Sequence, residues 1–235
     1  MRTILISGAS RGIGRSIAER AILEGHRISL GIRDPSSIKG SMLDPNVTGS
    51  SKLLINKYDA ENPEDASKWI ENTSQYFPEI NTLIHCAGIF KKTSLNFDSS
   101  EETDIEQLWK VNVLGPWRLT RAAWEPLCKS NNSRIIVLVS MSGKRSKGKL
   151  AGYTASKFAL MGLCQTIRNE GWDKGIRITT ICPSWVNTEM AKNVKSINKE
   201  DMTQPKDIAF IVSNLLQLPD NCVPYDIPIN CNLEY

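Results

Sequence analysis

Along this chain, short runs of apolar and largely β-branched residues alternate with longer stretches in which apolar residues recur at helical spacing. The short runs predict strands at Thr3–Ser7, Arg27–Ile32, Lys52–Asn56, Thr82–Cys86, Arg134–Ser140, Arg177–Cys182 and Asp226–Asn230. The longer stretches predict helices near Gly14–Glu24, Pro63–Phe77, Thr103–Lys129, Tyr153–Gly171 and Lys206–Leu218. Each strand candidate is almost continuously apolar, as a strand covered on both faces must be, and helices separate the candidates. With right-handed crossovers this alternation predicts an α/β doubly wound parallel sheet of about seven strands, with helices on both faces. In such sheets ligands sit beyond the carboxyl ends of the strands, so candidate chemistry belongs just after each apolar run.

Composition narrows the class. At 235 residues, 40% apolar and 23% charged, the chain predicts one globular domain over 1–235, with no internal repeat or linker. No apolar stretch reaches the roughly 18 residues of a membrane span, and Met1-Arg2 leads straight into a strand rather than a signal peptide. A net charge of +4 is too small to imply nucleic acid. The six cysteines stand singly with no CxxC pair, and His26 and His85 are the two histidines, so no metal site is expected. The cysteines read as buried thiols in a reducing cytoplasm, which leaves the sequons at Asn46, Asn72 and Asn131 without weight.

The first strand runs into Ser7-Gly8-Ala9-Ser10-Arg11-Gly12-Ile13-Gly14, and a helix follows. Glycines let the backbone turn sharply and approach a pyrophosphate at a helix N-terminus. A phosphate-binding P-loop would need Gly at Ala9 and Lys at Arg15, so a dinucleotide turn is the better reading. The alternative is a tight strand–helix turn that binds nothing. A second constellation is Tyr153-x3-Lys157. Residues four apart share a helix face, and a nearby ammonium lowers a phenol pKa toward the range useful for proton transfer.

The spacing Gly8-x3-Gly12-x-Gly14 resembles that of the compact branch of the short-chain dehydrogenase/reductase family; the extended branch, with its epimerases, usually spaces these glycines differently. The resemblance runs from Thr3 to about residue 215. Asn112, Ser140, Tyr153 and Lys157 stand at spacings similar to those of the family's Asn-Ser-Tyr-Lys tetrad, which Ser142 would not match. The family implies a single-domain Rossmann-type fold. It implies Tyr153 as general acid in reduction and base in oxidation, and Lys157 lowering its pKa and bonding the nicotinamide ribose. Ser140 polarises the substrate carbonyl. Asn112 breaks its helix and holds a proton-relay water, and the hydride comes from the cofactor.

The same resemblance assigns the cofactor contacts. Asp59 and Ala60 hold the adenine, and Cys86-Ala87-Gly88 lies along the cofactor, although the family usually has Asn-Asn-Ala-Gly where this chain has His85-Cys86-Ala87-Gly88. Pro183, Val186 and Thr188 fix the carboxamide, with Ser184 in place of the family's glycine. Members preferring NAD usually carry Asp where this chain has Ile32. Arg33 follows it and Arg11 precedes the second glycine, so two guanidinium groups with the Ser10 hydroxyl suit a 2′-phosphate and predict NADP(H). Asp34 reads as a turn residue before Pro35.

Residues 189–203 are expected to form a flap over the substrate. Lys144, Arg145, Lys147 and Lys149 follow Ser140, and Lys91 and Lys92 follow the fourth strand, which suggests a positive rim for an anionic carbonyl or alcohol substrate or its carrier. A solvated loop is the competing reading. The helix with Trp109, Trp117 and Trp124 pairs across a dimer axis in the family, so a homodimer is expected. The C-terminal segment departs from the family's Gly-rich ending, which in the family commonly supports one of the tetramer interfaces. A non-catalytic NADP-binding sensor on the same fold is the alternative function. Filled tetrad positions favour the enzyme.

Overall fold

The computed structural model describes residues 1–49 and 51–232. Among them, seven strands pair in parallel in the order β3-β2-β1-β4-β5-β6-β7. They are β1 Thr3–Ser7, β2 Arg27–Ile32, β3 Leu53–Lys57, β4 Thr82–His85, β5 Ser133–Leu138, β6 Ile176–Pro183 and β7 Asp226–Ile229. Ser7 of β1 stands opposite Gly31 of β2 and His85 of β4, so these strands end level. The strand order reverses between β1 and β4, and the crevice this leaves is the ligand position of doubly wound sheets.

Alternation along each strand divides the core. Leu5, Leu83, Ile135 and Ile178 face α3 (Asp65–Tyr76), α5 (Gly115–Lys129) and α6 (Ala151–Gly171). Ile4, Ile6, Leu30, Ile84 and Ile136 face α1 (Gly12–Leu23) and α7 (Pro205–Gln217). Trp69 of α3 lies flat on β2: a Cβ at Gly31 would come within 2.5 Å of its ring, and its indole N–H donates to Ser29 Oγ at 2.9 Å. A short helix, α2 (Pro45–Thr48), capped by Asp44, lies between β2 and β3.

The single helix expected over Thr103–Lys129 is three pieces. α4 (Ser99–Trp109) starts earlier, because Asp98 and Glu101 form a capping box. A π turn at Lys110–Leu114 follows, and then α5. Trp117 is exposed on α5, whereas Trp124 packs against the core beneath Lys174. Other boundaries move by at most two residues; β5 stops at Leu138, so Ser140 stands in the loop beyond the strand rather than at its end. Among the described residues, no helix is long and apolar enough to cross a membrane, and all six cysteines are free.

Candidate active site

The glycine turn is built against the end of β4. A Cβ at Gly8 would stand 2.7 Å from the Ala87 nitrogen, and one at Gly14 would collide with the Gly8 carbonyl oxygen. Gly8 and Gly12 adopt φ of +70° and +57°, the left-handed region that glycine enters without penalty. Ser7 Oγ accepts the N–H groups of Cys86 (3.2 Å) and Ala87 (3.3 Å), and so anchors the segment where the family's asparagines are missing. Arg11 caps α1 with no side-chain hydrogen bond and the first turn holds no acid, so the amide groups there are open to an anion. Ser10 is half-buried in the same turn.

Beyond β2 and β3 the expected adenosine end has Arg33 exposed, Asp59 half-buried and Ala60 buried. Asp34 is engaged by Ser36, whose N–H and Oγ donate to it at 2.9 and 2.8 Å, so its carboxylate caps the turn Pro35–Ile38. Asp59 accepts the Glu61 N–H at 3.0 Å, and Ala60 packs against Gly115.

The four tetrad positions converge. The Ser140 side chain accepts the Ser142 N–H at 3.1 Å, which leaves its own proton to donate toward the Tyr153 hydroxyl, with which it shares the cleft wall. Ser140 itself has φ +154°, ψ 158°, a region that costs most side chains about 1–3 kcal/mol. Asn112, in the π turn, grips the backbone of Ile89 from both sides: its Oδ1 accepts the Ile89 N–H at 2.9 Å and its Nδ2 donates to the Ile89 carbonyl at 3.0 Å. Its Nδ2 also reaches Ser156 Oγ on α6 at 3.1 Å. Lys157 is buried, stands 5.8 Å from the Tyr153 ring centroid, and donates to the Leu138 carbonyl at 3.3 Å. A Cβ at Gly88 would lie 3.8 Å from Lys157 Nζ, so the glycine leaves open the approach to the ammonium.

The electrostatics differ from the sequence expectation at Tyr153. Burial pushes its pKa up, and the Ser140 hydroxyl beside it opposes this without reversing it. The expected lowering by Lys157 does not prevail, because the ammonium faces a main-chain carbonyl and the phenol is almost fully desolvated. Burial lowers Lys157 to about 8. Tyr153 is thus a neutral proton donor at neutral pH. His85 is also neutral: burial lowers it to about 3, and its Nε2 pairs with Thr120 Oγ1 at 2.9 Å.

These groups line one cleft of about 930 Å³. Arg11, Ile13, Cys86, Ala87, Gly88, Ser140, Tyr153, Lys157, Pro183, Val186 and Thr188 contribute to its wall; Asn112 stands behind it. Gly8, Ser10, Gly12, Gly14, Arg33, Asp59 and Ala60 are not part of that wall and lie at the same strand ends. The flap closes at its base, where Val186 bridges Thr203 and the Asn187 N–H donates to the Thr203 carbonyl at 2.9 Å. Ser184 keeps a negative φ, so its substitution for glycine brings no strain. Of the basic loop, Arg145 and Lys147 line the cleft, but Lys144 does not: it pairs with Asp226. Lys149 is exposed outside the wall. Lys91, Lys92, Lys192 and Lys195 complete the rim, with Glu189 on Lys192 and Asp104 on Lys91.

Sequence reasoning missed three supporting residues. Thr93 accepts the Gly152 N–H on its hydroxyl at 2.9 Å and the Ala151 N–H on its carbonyl at 3.0 Å, capping α6 just before Tyr153. Phe90 meets the Tyr153 ring edge-on at 4.9 Å. Ser156 donates to the Tyr153 carbonyl at 2.7 Å. Thr93 and Phe90 are brought in by tertiary packing, whereas Ser156 lies on α6 three residues after Tyr153.

Comparison with known proteins gives the site a context. A family model described as short chain dehydrogenase matches residues 2–199. The chain is 36% identical over 231 residues to an agropine synthesis reductase of Rhizobium rhizogenes, covering 98% of this chain and 53% of that protein. It spans about half the length of the curated relatives it matches first. A β-ketoacyl-[ACP] reductase from Bacteroides thetaiotaomicron superposes with TM-score 0.82 at 27% identity, over 98% of this chain and 97% of that one. An alcohol dehydrogenase from the archaeon Thermococcus sibiricus, complexed with 5-hydroxy-NADP, shares the fold over the whole of both chains, with TM-score 0.88 and 24% identity.

Proposed function

The chain belongs to the short chain dehydrogenase family of oxidoreductases, and from that premise we propose that residues 1–235 form one NADP(H)-dependent domain interconverting a carbonyl and a secondary alcohol. The observation that carries the reading is the buried Tyr153 in one cleft wall with Ser140 and the Lys157 ammonium. The names of the relatives as reductases support it, and so does the NADP-type ligand of a structural neighbour.

The residues present fit such a cofactor. The open first turn of α1 suits a pyrophosphate, and Lys157, a three-proton donor with one protein acceptor among the described residues, has protons left for ribose hydroxyls. Arg11, Arg33 and Ser10 take the 2′-phosphate, Asp59 and Ala60 the adenine, and Val186 and Thr188 the carboxamide. Bound NADP(H) supplies or accepts the hydride. In reduction, Ser140 donates a hydrogen bond to the substrate carbonyl oxygen. Tyr153, held neutral by burial, delivers its proton to that oxygen as negative charge develops. Lys157 stabilises the resulting phenolate, and Asn112 fixes the β4 loop beside it through Ile89. In oxidation, Tyr153 takes the proton back.

The bases along the rim, Lys92, Arg145, Lys147 and Lys195 among them, favour an anionic substrate by focusing field into the cleft. We assign the protein to the cytoplasm as a homodimer, with the exposed Trp117 on the pairing helix α5. Tyr153→Phe tests the chemistry. NADPH binding should persist while turnover across a carbonyl panel falls on the order of 10²–10⁴-fold. A Phe variant that keeps most of its turnover removes Tyr153 from the mechanism. Wild-type protein that binds NADPH but reduces nothing in the panel points to a sensor instead.

A further inference from the structure

The Ser140 loop is tied to the last strand of the sheet through a chain of polar groups that the tetrad does not include. The Val139 N–H, just before Ser140, donates to the Ile181 carbonyl of β6 at 2.8 Å, next to Cys182. The Cys182 thiol donates to Asp226 Oδ1 on β7 at 3.4 Å. The other carboxylate oxygen, Oδ2, takes Lys144 Nζ, from the residue that ends the turn after Ser140. The order β5-β6-β7 makes this possible: Asp226 pairs in register with Thr180, two residues before Cys182. Thr180 Oγ1 also lies 3.2 Å from Asp226 Oδ1. The loop is therefore held at both ends, before Ser140 through the Val139–Ile181 bond to β6 and at Lys144 through its ammonium.

We propose that Asp226 is a positioning residue for Ser140, holding the loop between Ser140 and Lys144 in the conformation that aims the serine hydroxyl at Tyr153. The proposal rests on the catalytic reading of Ser140 and Tyr153 given above. Ser140 occupies a backbone region that a side chain does not choose unaided, so some contact must impose it, and this latch spans that residue. Cys182 is fully buried, which shields the thiol link from water. Lys144 and Asp226 are less enclosed, with side chains 31% and 24% exposed, so changes there are tolerable to the fold.

The test uses the full chain. With ring-labelled tyrosine, the Cζ resonance of Tyr153, identified by its loss in Tyr153→Phe, reports the Ser140 hydroxyl beside it without cofactor or substrate. Asp226→Ala should move it most of the way to the Ser140→Ala position, and Lys144→Met should do the same in part. With NADPH and the panel carbonyl that wild type turns over fastest, Asp226→Ala should lose about 10²-fold in kcat, as misplacement of a reacting group does, with KM and the NADPH Kd nearly unchanged. The swap Lys144→Asp with Asp226→Lys should recover turnover relative to either single change. General destabilisation would not single out one tyrosine resonance or respond to the swap. An unmoved Tyr153 resonance in both single variants overturns the latch. A Tyr153→Phe variant that keeps its turnover overturns the catalytic reading instead, whatever the resonance does.

Discussion

Replacing Lys157 with Met should stabilise the unliganded protein while abolishing its turnover. The ammonium is buried, and desolvation lowers its pKa from 10.5 to about 8. At about 1.4 kcal/mol per pH unit, that displacement costs the fold on the order of 3 kcal/mol. The unfolded chain holds the lysine proton more tightly than the folded one. The cost is therefore complete below pH 8 and fades as the pH rises from 8 toward 10.5. Met fills a similar volume without the charge but leaves the Leu138 carbonyl without its donor, a loss of about 1 kcal/mol. The net gain at pH 7 is about 2 kcal/mol, which for a chain of this size raises the unfolding temperature by roughly 4–8 °C. Calorimetric scans of both proteins at pH 7 and pH 10, without cofactor, check this. The gain should all but vanish at pH 10, where the wild-type lysine is already neutral in the fold. A Lys157→Met protein that melts at or below wild type at pH 7 refutes the claim that burial strains this ammonium. A gain equal at both pH values assigns the effect to packing rather than charge.

Other expectations follow from the same cleft and core. NADPH should bind at least tenfold more tightly than NADH, because Arg11 and Arg33 each add a charge-assisted contact of roughly 1.5–3 kcal/mol. Tryptophan fluorescence titration measures this, and equal Kd values would show that neither arginine reaches the phosphate. At saturating NADPH, kcat/KM for an anionic substrate should fall as salt is added, and Lys92→Glu with Lys195→Glu should raise KM more than it changes kcat; salt-independent kcat/KM rejects the charged rim. Gly31→Ala drives a methyl group into the Trp69 ring and should cost about 1–3 kcal/mol, read as a lower urea midpoint. An unchanged midpoint would mean the indole moves aside freely.

The sheet was legible because most β runs are almost continuously apolar, the pattern of a covered strand; the edge strand β7 packs only Ile227 and Ile229 against the core. The glycine turn and Tyr153-x3-Lys157 were legible because their chemistry is local in sequence. What escaped was whatever depends on contacts distant along the chain. The periodicity of residues 103–129 runs through the π turn without a break, since Val111 and Val113 are apolar either way. The family resemblance placed Asn112 and implied a break in its helix there, but its grip on Ile89 shows only in the fold. The basic run after Ser140 looks uniform in sequence, yet Asp226, more than 80 residues later, takes Lys144 out of the cleft. The Tyr153 pKa was misjudged because spacing shows a neighbouring charge but not the depth of burial.

The π turn also fixes how long this part of the chain must be. Each residue of an α-helix advances the helix by about 100°, so deleting one residue from Lys110–Leu114 would restore a regular helix while rotating α5 by that angle relative to α4. Either Leu108 or the set Leu119, Ala123 and Leu127 would then leave the core. A shorter, locally more regular sequence would thus fold worse. Helix-to-helix connections usually tolerate length variation in evolution and in engineering. This one counts residues as strictly as a ratchet counts teeth, and a one-residue deletion here should be among the least tolerated changes in the chain.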